Sequence, residues 1–158
     1  MMRQILIILA FLCFCPALVL GGDPVSLERM MHTNECNGCD LTGVDLRGLR
    51  LDRVELKGAD LSAAKLSGAS LLRADLSGAK LNWADLTGVQ FGGANLEGAD
   101  LSFSDMSRAS FYRANLKKAH FLESMIFYAD FEQAQLLGAI WLDGELCIAP
   151  SVGRCNLR

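Results

Sequence analysis

The chain has 158 residues, a formal net charge of −3 and a pI of about 5.3. This length suits one domain, and the acidic balance excludes a basic nucleic-acid-binding protein of the usual kind. Because 51% of the residues are hydrophobic, the chain is not wholly disordered. Aromatic residues make up only 8%, so the apolar content is mainly aliphatic and small.

The first residues have the composition of a secretory signal peptide. Arg3 precedes an apolar run over residues 5–20, and the small residues Gly21 and Gly22 follow it. A basic start, a short apolar stretch and a small-residue exit are typical of such peptides. We therefore expect a signal peptide over residues 1–21, no membrane span after cleavage, and a periplasmic or secreted mature protein. An uncleaved membrane anchor is the alternative.

A short helix is expected directly after the signal peptide. Asp23 and Pro24 suit the N-cap and the first helical residue. Three apolar residues then recur at helical spacing; they are Leu27, Met30 and Met31. The sequence predicts a helix over residues 24–35, within an N-terminal cap that covers residues 22–38.

A period of five residues dominates the chain from residue 39 to residue 143. The central residue is apolar in all 21 pentads, and the residue two positions before it is Ala in 14 of them. We call these two positions the central column and the small column, after the size of their side chains. A mostly polar residue, often Asp or Asn, lies between the two columns. This period matches neither a helix, which repeats every 3.6 residues, nor a strand, which repeats every 2.

A chain that turns a corner every five residues explains this pattern. The central and small columns then point inward, and the other three positions face water. Four corners close one square coil of twenty residues, and successive coils stack at the strand spacing of about 4.8 Å. One inward column must be small because a narrow coil cannot hold two large side chains at each corner.

Several triplets within the repeat resemble the A(D/N)LXX motif of the pentapeptide-repeat family. Among them are Ala59-Asp60-Leu61, Ala84-Asp85-Leu86 and Ala94-Asn95-Leu96. The resemblance covers residues 39–143, about two thirds of the chain. It implies an all-β solenoid, a right-handed quadrilateral β-helix of about five coils and roughly 25 Å in length. Together with the signal peptide, it indicates a secreted bacterial member of the family.

The cysteines outside the signal peptide allow three disulfide pairings. Two of the three would join opposite ends of a rod about 25 Å long, whereas a disulfide needs Cα atoms within roughly 7 Å. We therefore expect the local pairs Cys36–Cys39 and Cys147–Cys155. The second pair lies in a C-terminal tail, residues 144–158, that we expect to cover the last coil.

Candidate catalytic groups are sparse. His32 lies on the expected helix and His120 at an outward polar position, no Ser-His-Asp set is suggested, and no phosphate loop or HExxH motif occurs. Cys36 and Cys39 form a CxxC pair, so a thiol oxidoreductase stays an alternative, although the βαβ context of such sites is missing. A zinc site would need two further ligands. We expect no enzyme activity, no cofactor and no metal.

The outward positions favour a function in binding. A period of twenty places Trp83 directly below Phe103, and coils nearer the C-terminus carry further aromatic and basic residues. Such residue types dominate binding hot spots. We expect a non-enzymatic interaction or structural module that binds a protein partner, or a second copy of itself, through the C-terminal coils. The candidate contact residues are Trp83, Phe103, Tyr112, Arg113, Phe127 and Tyr128. Coverage of the apolar positions by the tail is the alternative.

A different function follows from the resemblance alone. Some pentapeptide-repeat proteins mimic DNA with an acidic surface and protect bacterial DNA gyrase. This chain has acidic columns, for example Asp40, Asp60 and Asp100. A secreted chain would not meet gyrase, and arginines interrupt the acidity at Arg53, Arg73 and Arg113. DNA mimicry is therefore kept as an alternative, and no binding to nucleic acid is expected.

Overall fold

The computed structural model describes residues 21–148 and 153–155. The predicted signal peptide lies outside these residues, apart from Gly21, as do residues 149–152 and 156–158 of the tail. Within the described residues, no helix has the length and hydropathy that crossing a membrane requires.

Helix α1 (Pro24–Thr33) precedes the solenoid and covers its first coil. The Asp23 carboxylate accepts hydrogen bonds from the backbone N–H groups of Val25 and Ser26, and Pro24 occupies the first turn. The helix ends two residues before the predicted boundary because Asn34 adopts a left-handed conformation, with φ of 63°, and donates its N–H to the Met30 carbonyl.

The buried side of α1 closes the open end of the solenoid. Leu27 and Met30 are buried against the core, and Met31 packs beside them partly buried. These are the three residues that the helical spacing selects. Their burial removes apolar surface from water at an end where the first coil has no preceding coil to cover it.

The chain winds as the right-handed quadrilateral β-helix that the sequence predicts, and this fold is confirmed. Parallel bridges join residues twenty apart, from Glu35 with Glu55 to His120 with Ile140, which gives about five coils. Throughout the described part, the β structure consists of such single-residue bridges and forms no longer strand. Backbone hydrogen bonds link each coil to the next, for example from Leu41 N to the Asp60 carbonyl at 2.8 Å.

Each pentad ends in a β-turn whose third residue is left-handed. At the end of the first pentad, Val44 N donates to the Leu41 carbonyl at 3.2 Å, and Gly43 between them has φ of 66°. This combination is typical of a type II turn, which favours glycine at that position. Where another residue stands there, such as Arg53 with φ of 61°, it adopts the same conformation.

The polar residue between the two inward columns has a structural function of its own. The Asp60 carboxylate accepts a hydrogen bond from Ser62 N at 3.1 Å, and Asp100 accepts one from Ser102 N at 3.0 Å. The side chain thus bonds to the backbone two residues ahead, as in an Asx turn. This bond explains why Asp and Asn predominate at that position of the motif.

The core contains the two inward columns and little else. Most leucines and alanines of these columns are buried between Leu41 and Ala139, whereas Leu49 and Ala129 are half-buried. Aromatic residues replace leucine on one side of the later coils, where Phe91, Phe111 and Phe131 stack with successive centroid distances of 5.0 Å. The coil spacing therefore lets identical side chains stack one above the other inside the solenoid.

Both ends of the solenoid are held by a local disulfide. Cys36 pairs with Cys39, with 5.3 Å between their Cα atoms, and Cys147 pairs with Cys155 at 5.1 Å. These are the pairs expected from the length of the rod. The tail runs antiparallel to the last coil, and Cys147 N donates to the Ala139 carbonyl at 2.8 Å.

Candidate interaction surface

The aromatic corner is defined by Trp83 and Phe103, which lie one coil apart at the same turn position. Their rings stack with centroids 4.6 Å apart and planes inclined by 6°. The Trp83 side chain is 64% exposed although it is stacked, and Phe103 is 36% exposed. An indole that stays largely in water on a rigid scaffold is a typical anchor for a partner.

The backbone at the aromatic corner makes its aromatic residues costly. Trp83 and Phe103 have φ values of 63° and 60°, in the left-handed region where glycine is the favoured residue. A residue other than glycine in that region costs about 1–3 kcal/mol, and the ring stacking returns about 0.5–1.5 kcal/mol. Other turn positions, for example Ala63 and Lys118, have the same left-handed backbone, so exposure rather than this cost distinguishes the aromatic pair.

A second exposed region, the apolar edge, is defined by Met125, Phe127 and Tyr128 in the last coil. Phe127 is 68% exposed, Tyr128 is 89% exposed and Met125 is 47% exposed. The described residues of the tail, 144–148 and 153–155, do not cover them, because the tail's hydrogen bonds there reach the other sides of the coil at Ala134 and Ala139. Leu146 of the tail is itself exposed, and Cys147 is the tail residue that enters the core.

Two backbone N–H groups at the apolar edge are unpaired. Within the described residues, the N–H groups of Ile126 and Tyr128 donate no hydrogen bond. In the coil before, the corresponding N–H groups of Met106 and Arg108 donate to the carbonyls of Met125 and Phe127 at 2.8 Å. An apolar strand edge with unpaired N–H groups is a site for pairing with another chain.

Tyr112 and Arg113 lie elsewhere on the solenoid, so the six predicted contact residues do not form one surface. They occupy the corner that carries Arg53 and Arg73, diagonally across the coil from the aromatic corner. In the sequence, Arg53 and Arg73 interrupt the acidic columns. Because they are twenty residues apart, the sequence also indicates that they share a corner.

The acidic side chains are largely engaged within the solenoid. Asp45 forms an ion pair with Arg47 at 2.6 Å, and hydrogen bonding to that guanidinium lowers the pKa of Asp45. Burial acts to raise the pKa of Asp60, but hydrogen bonds from Ser62 and Lys80 outweigh it and lower the pKa. Such internal pairing leaves fewer free carboxylates than an uninterrupted acidic surface would present.

The CxxC pair has no access to solvent. Cys36 is fully buried and Cys39 is 3% exposed. Arg29 of α1 extends over both, with its guanidinium in contact with the two sulfur atoms. Exchange with an external thiol requires an accessible sulfur, so this geometry suits a structural disulfide. In the described part of the chain, no cluster of His, Cys, Asp or Glu could hold a metal ion.

The fold and its surface define a solenoid of five-residue repeats with two exposed apolar regions and a local disulfide at each end. The sequence profile of the pentapeptide repeats matches the chain with 8 copies, over residues 55–93, 84–122 and 104–140. The chain belongs to the pentapeptide-repeat family. No curated protein matches it at a significant level.

Solved structures of the same family resemble the chain. HetL, a pentapeptide repeat protein involved in heterocyst differentiation regulation from the cyanobacterium Nostoc sp. strain PCC 7120, is 35% identical, with a TM-score of 0.60. The match covers 71% of this chain and 51% of HetL, so the chain spans about half the length of HetL.

Two further structures are similar in sequence or in repeat type. A pentapeptide repeat protein of the Arabidopsis thaliana thylakoid lumen is 27% identical over 73% of this chain and 72% of its own, with a TM-score of 0.26. QnrB1, a plasmid-mediated fluoroquinolone resistance protein, is 16% identical over 61% of this chain and 62% of its own, with a TM-score of 0.47.

Proposed function

We propose that the chain is a secreted or periplasmic interaction module without enzyme activity, and that the aromatic corner is its principal contact with a protein partner. The exposed stack of Trp83 and Phe103 carries this proposal. It combines two large exposed rings with the rigid backbone of the stacked coils. The apolar run at residues 5–20 supports export.

Site-specific photocrosslinking tests the proposed contact. A photoreactive phenylalanine in place of Phe103 keeps an aromatic ring at the aromatic corner. The same residue in place of Ala63 is the matched control, because Ala63 occupies the same corner two coils earlier, with a left-handed φ of 56°. We expect a discrete covalent adduct from position 103 and none from position 63. Equal adduct patterns at the two positions would show nonspecific contact and contradict the proposal.

Export is tested separately. A fusion of residues 1–40 to a reporter that is active only outside the cytoplasm is expected to be active. Replacing part of the apolar run at residues 5–20 with charged residues is expected to abolish reporter activity, because the run no longer inserts as a signal peptide. An inactive fusion of the unaltered residues 1–40 would contradict export and reopen the DNA-mimic alternative.

Self-association is a second candidate, favoured by the apolar edge. Exposed Phe127 and Tyr128 lie next to the unpaired N–H groups of the last coil. Together they offer a second chain both apolar contacts and hydrogen-bond donors. A second copy would bring an identical edge, as a twofold contact requires. Sedimentation equilibrium should then show a dimer, and Phe127→Asp should give a monomer. A wild-type protein that stays monomeric at high concentration would contradict self-association and leave the aromatic corner as the proposed contact.

A further inference from the structure

The basic groove is defined by Arg53, Arg73, Arg113 and the glycines Gly92 and Gly93. Together with neighbouring side chains these residues line a cavity of about 400 Å³ on one side of the solenoid. In a coil of twenty residues, positions ten apart lie at opposite corners, so the basic groove faces away from the aromatic corner. A ligand could occupy it without touching Trp83 or Phe103.

A missing side chain opens the basic groove. Positions 53, 73, 93 and 113 follow one another at the same corner, one per coil, and three of them are arginine. Gly93 occupies the third row and has no side chain, so a gap separates Arg73 from Arg113. Two coil spacings amount to about 10 Å. The stem of Arg73 borders this gap, with its Cγ 3.6 Å from the place that a Cβ of Gly93 would occupy. The remaining space admits one oxyanion beside the Arg73 and Arg113 side chains, since charged N–H···O contacts measure about 2.8 Å.

The arginines of the basic groove lack acidic partners. Among the described residues, the side chains of Arg53 and Arg73 form no ion pair and no hydrogen bond. Arg113 donates its Nε to the neutral Gln133 amide at 2.8 Å and lies over the Tyr112 ring at 5.0 Å. By contrast, Arg47 on another side of the solenoid is bound to Asp45 at 2.6 Å.

The one carboxylate that lines the groove is already engaged. Asp52 accepts hydrogen bonds from the Ser70 hydroxyl and from Leu72 N. Both hydrogen bonds end on Asp52 Oδ1, and this carboxylate forms no ion pair with the arginines. The groove keeps a local excess of positive charge in a chain whose net charge is −3.

The backbone again makes the arginines costly. Arg53, Arg73 and Arg113 have φ values of 61°, 58° and 58°, in the region where glycine is favoured. Glycine fills the equivalent position in many other pentads, for example Gly58, Gly78 and Gly98. Three arginines at one corner therefore bear a conformational cost and gain no internal ion pair. Other residues, such as Lys118 and Gln133, share this backbone conformation, so what distinguishes the three arginines is the cavity that they line without an ion pair in the described part of the chain.

We propose that the basic groove binds a phosphate or sulfate group in the gap at Gly93, between the guanidinium groups of Arg73 and Arg113. A guanidinium presents parallel N–H donors that match two oxygens of such a group. Arg53 extends the positive surface by one more coil. The half-buried ring of Tyr112 lies beside the gap and offers a flat wall to an organic substituent on the phosphate or sulfate.

The proposal is tested by isothermal titration of the purified protein with sodium phosphate, sodium sulfate and sodium acetate at equal ionic strength. In Gly93→Asp, a carboxylate fills the gap and pairs with the two arginines. Gly78→Asp is the matched control, because Gly78 has φ of 65°, has open space around its α carbon and lies at another corner. We expect saturable binding of phosphate and sulfate by the wild type and by Gly78→Asp, and at least about a tenfold loss in Gly93→Asp.

A second variant separates binding from folding. Arg73→Gln keeps a polar side chain, shorter than arginine, and removes one guanidinium, and it should weaken phosphate binding about tenfold or more with an unchanged melting temperature. Equal phosphate affinity in Gly93→Asp and Gly78→Asp would overturn the proposal, as would a heat signal that chloride reproduces at the same ionic strength. Acetate that binds as tightly as phosphate would overturn the assignment to a tetrahedral oxyanion.

Discussion

The rings of Phe91 and Phe111 stack one coil apart inside the solenoid, with their centroids 5.0 Å apart and their planes inclined by 10°. Trp83 and Phe103 repeat this geometry on the outside, at 4.6 Å and 6°. The coil spacing thus produces stacking wherever aromatic residues recur every twenty positions. What distinguishes the outer pair is its exposure, not its stacking.

The inner and outer positions predict opposite responses to the loss of a phenyl ring. Phe111→Ala should lower the free energy of unfolding by about 3–5 kcal/mol, because it leaves a cavity in a fully buried column. Phe127→Ala removes the same ring from a side chain that is 68% exposed and should change stability by about 0.5 kcal/mol or less. Urea denaturation measures both. Equal losses would contradict the inward and outward assignment.

The small inward column predicts sensitivity to added volume. Ala99 is fully buried between coils, so Ala99→Leu should overpack the core and cost about 1–3 kcal/mol or more. Ala63→Leu makes the same change at an exposed turn position and should cost about 0.5 kcal/mol or less. Melting temperatures compare the two variants directly. A tolerant Ala99 would mean that the column does not limit the width of the coil.

The lowered pKa of Asp60 predicts a dependence of stability on pH. A carboxyl group whose pKa lies below its ordinary value of 3.8 stabilises the folded state while it is ionised. That stabilisation is complete above the ordinary pKa and is lost as the pH falls through the lower, folded value. The melting temperature should therefore fall below about pH 4, and by less in Asp60→Asn, which cannot titrate there. Parallel losses in the two proteins would show that Asp60 does not contribute.

The disulfides predict a simple peptide map. Digestion without reductant should yield Cys36 linked to Cys39 and Cys147 linked to Cys155, because each pair lies at one end of the solenoid. A peptide that links Cys36 to Cys155 within one chain would be incompatible with a rod of stacked coils. Size-exclusion chromatography before digestion ensures that only one chain contributes.

The sequence predicts the solenoid well because its period is local and complete. Every pentad repeats the same two inward columns, so the inward set, the coil of twenty and the disulfide pairing follow from counting. Helix α1 is two residues shorter than expected, since the left-handed turn at Asn34 depends on the chain entering the first coil. In the tail, Cys147 enters the core and Leu146 stays exposed. The sequence does not predict this arrangement, because it depends on how the tail folds back onto the last coil.

The basic groove is the part of the surface that the sequence analysis did not find. Arg53, Arg73 and Arg113 show their spacing in the sequence, but their lack of acidic partners does not. Asp52 precedes Arg53 directly, yet its carboxylate bonds to Ser70 and the next coil. Which charges neutralise one another depends on side-chain geometry across coils, and a one-dimensional pattern does not contain it.

The central claim is that the aromatic corner binds a partner rather than stabilising the fold. The most direct measurement is the affinity of the partner recovered by crosslinking for the wild type and for Trp83→Gly with Phe103→Gly, together with the melting temperature of each. Glycine suits the left-handed backbone at both positions, so we predict an unchanged or slightly higher melting temperature. The affinity should fall by about thirtyfold or more, as expected for hot-spot residues. An unchanged affinity with a large drop in melting temperature would contradict the claim.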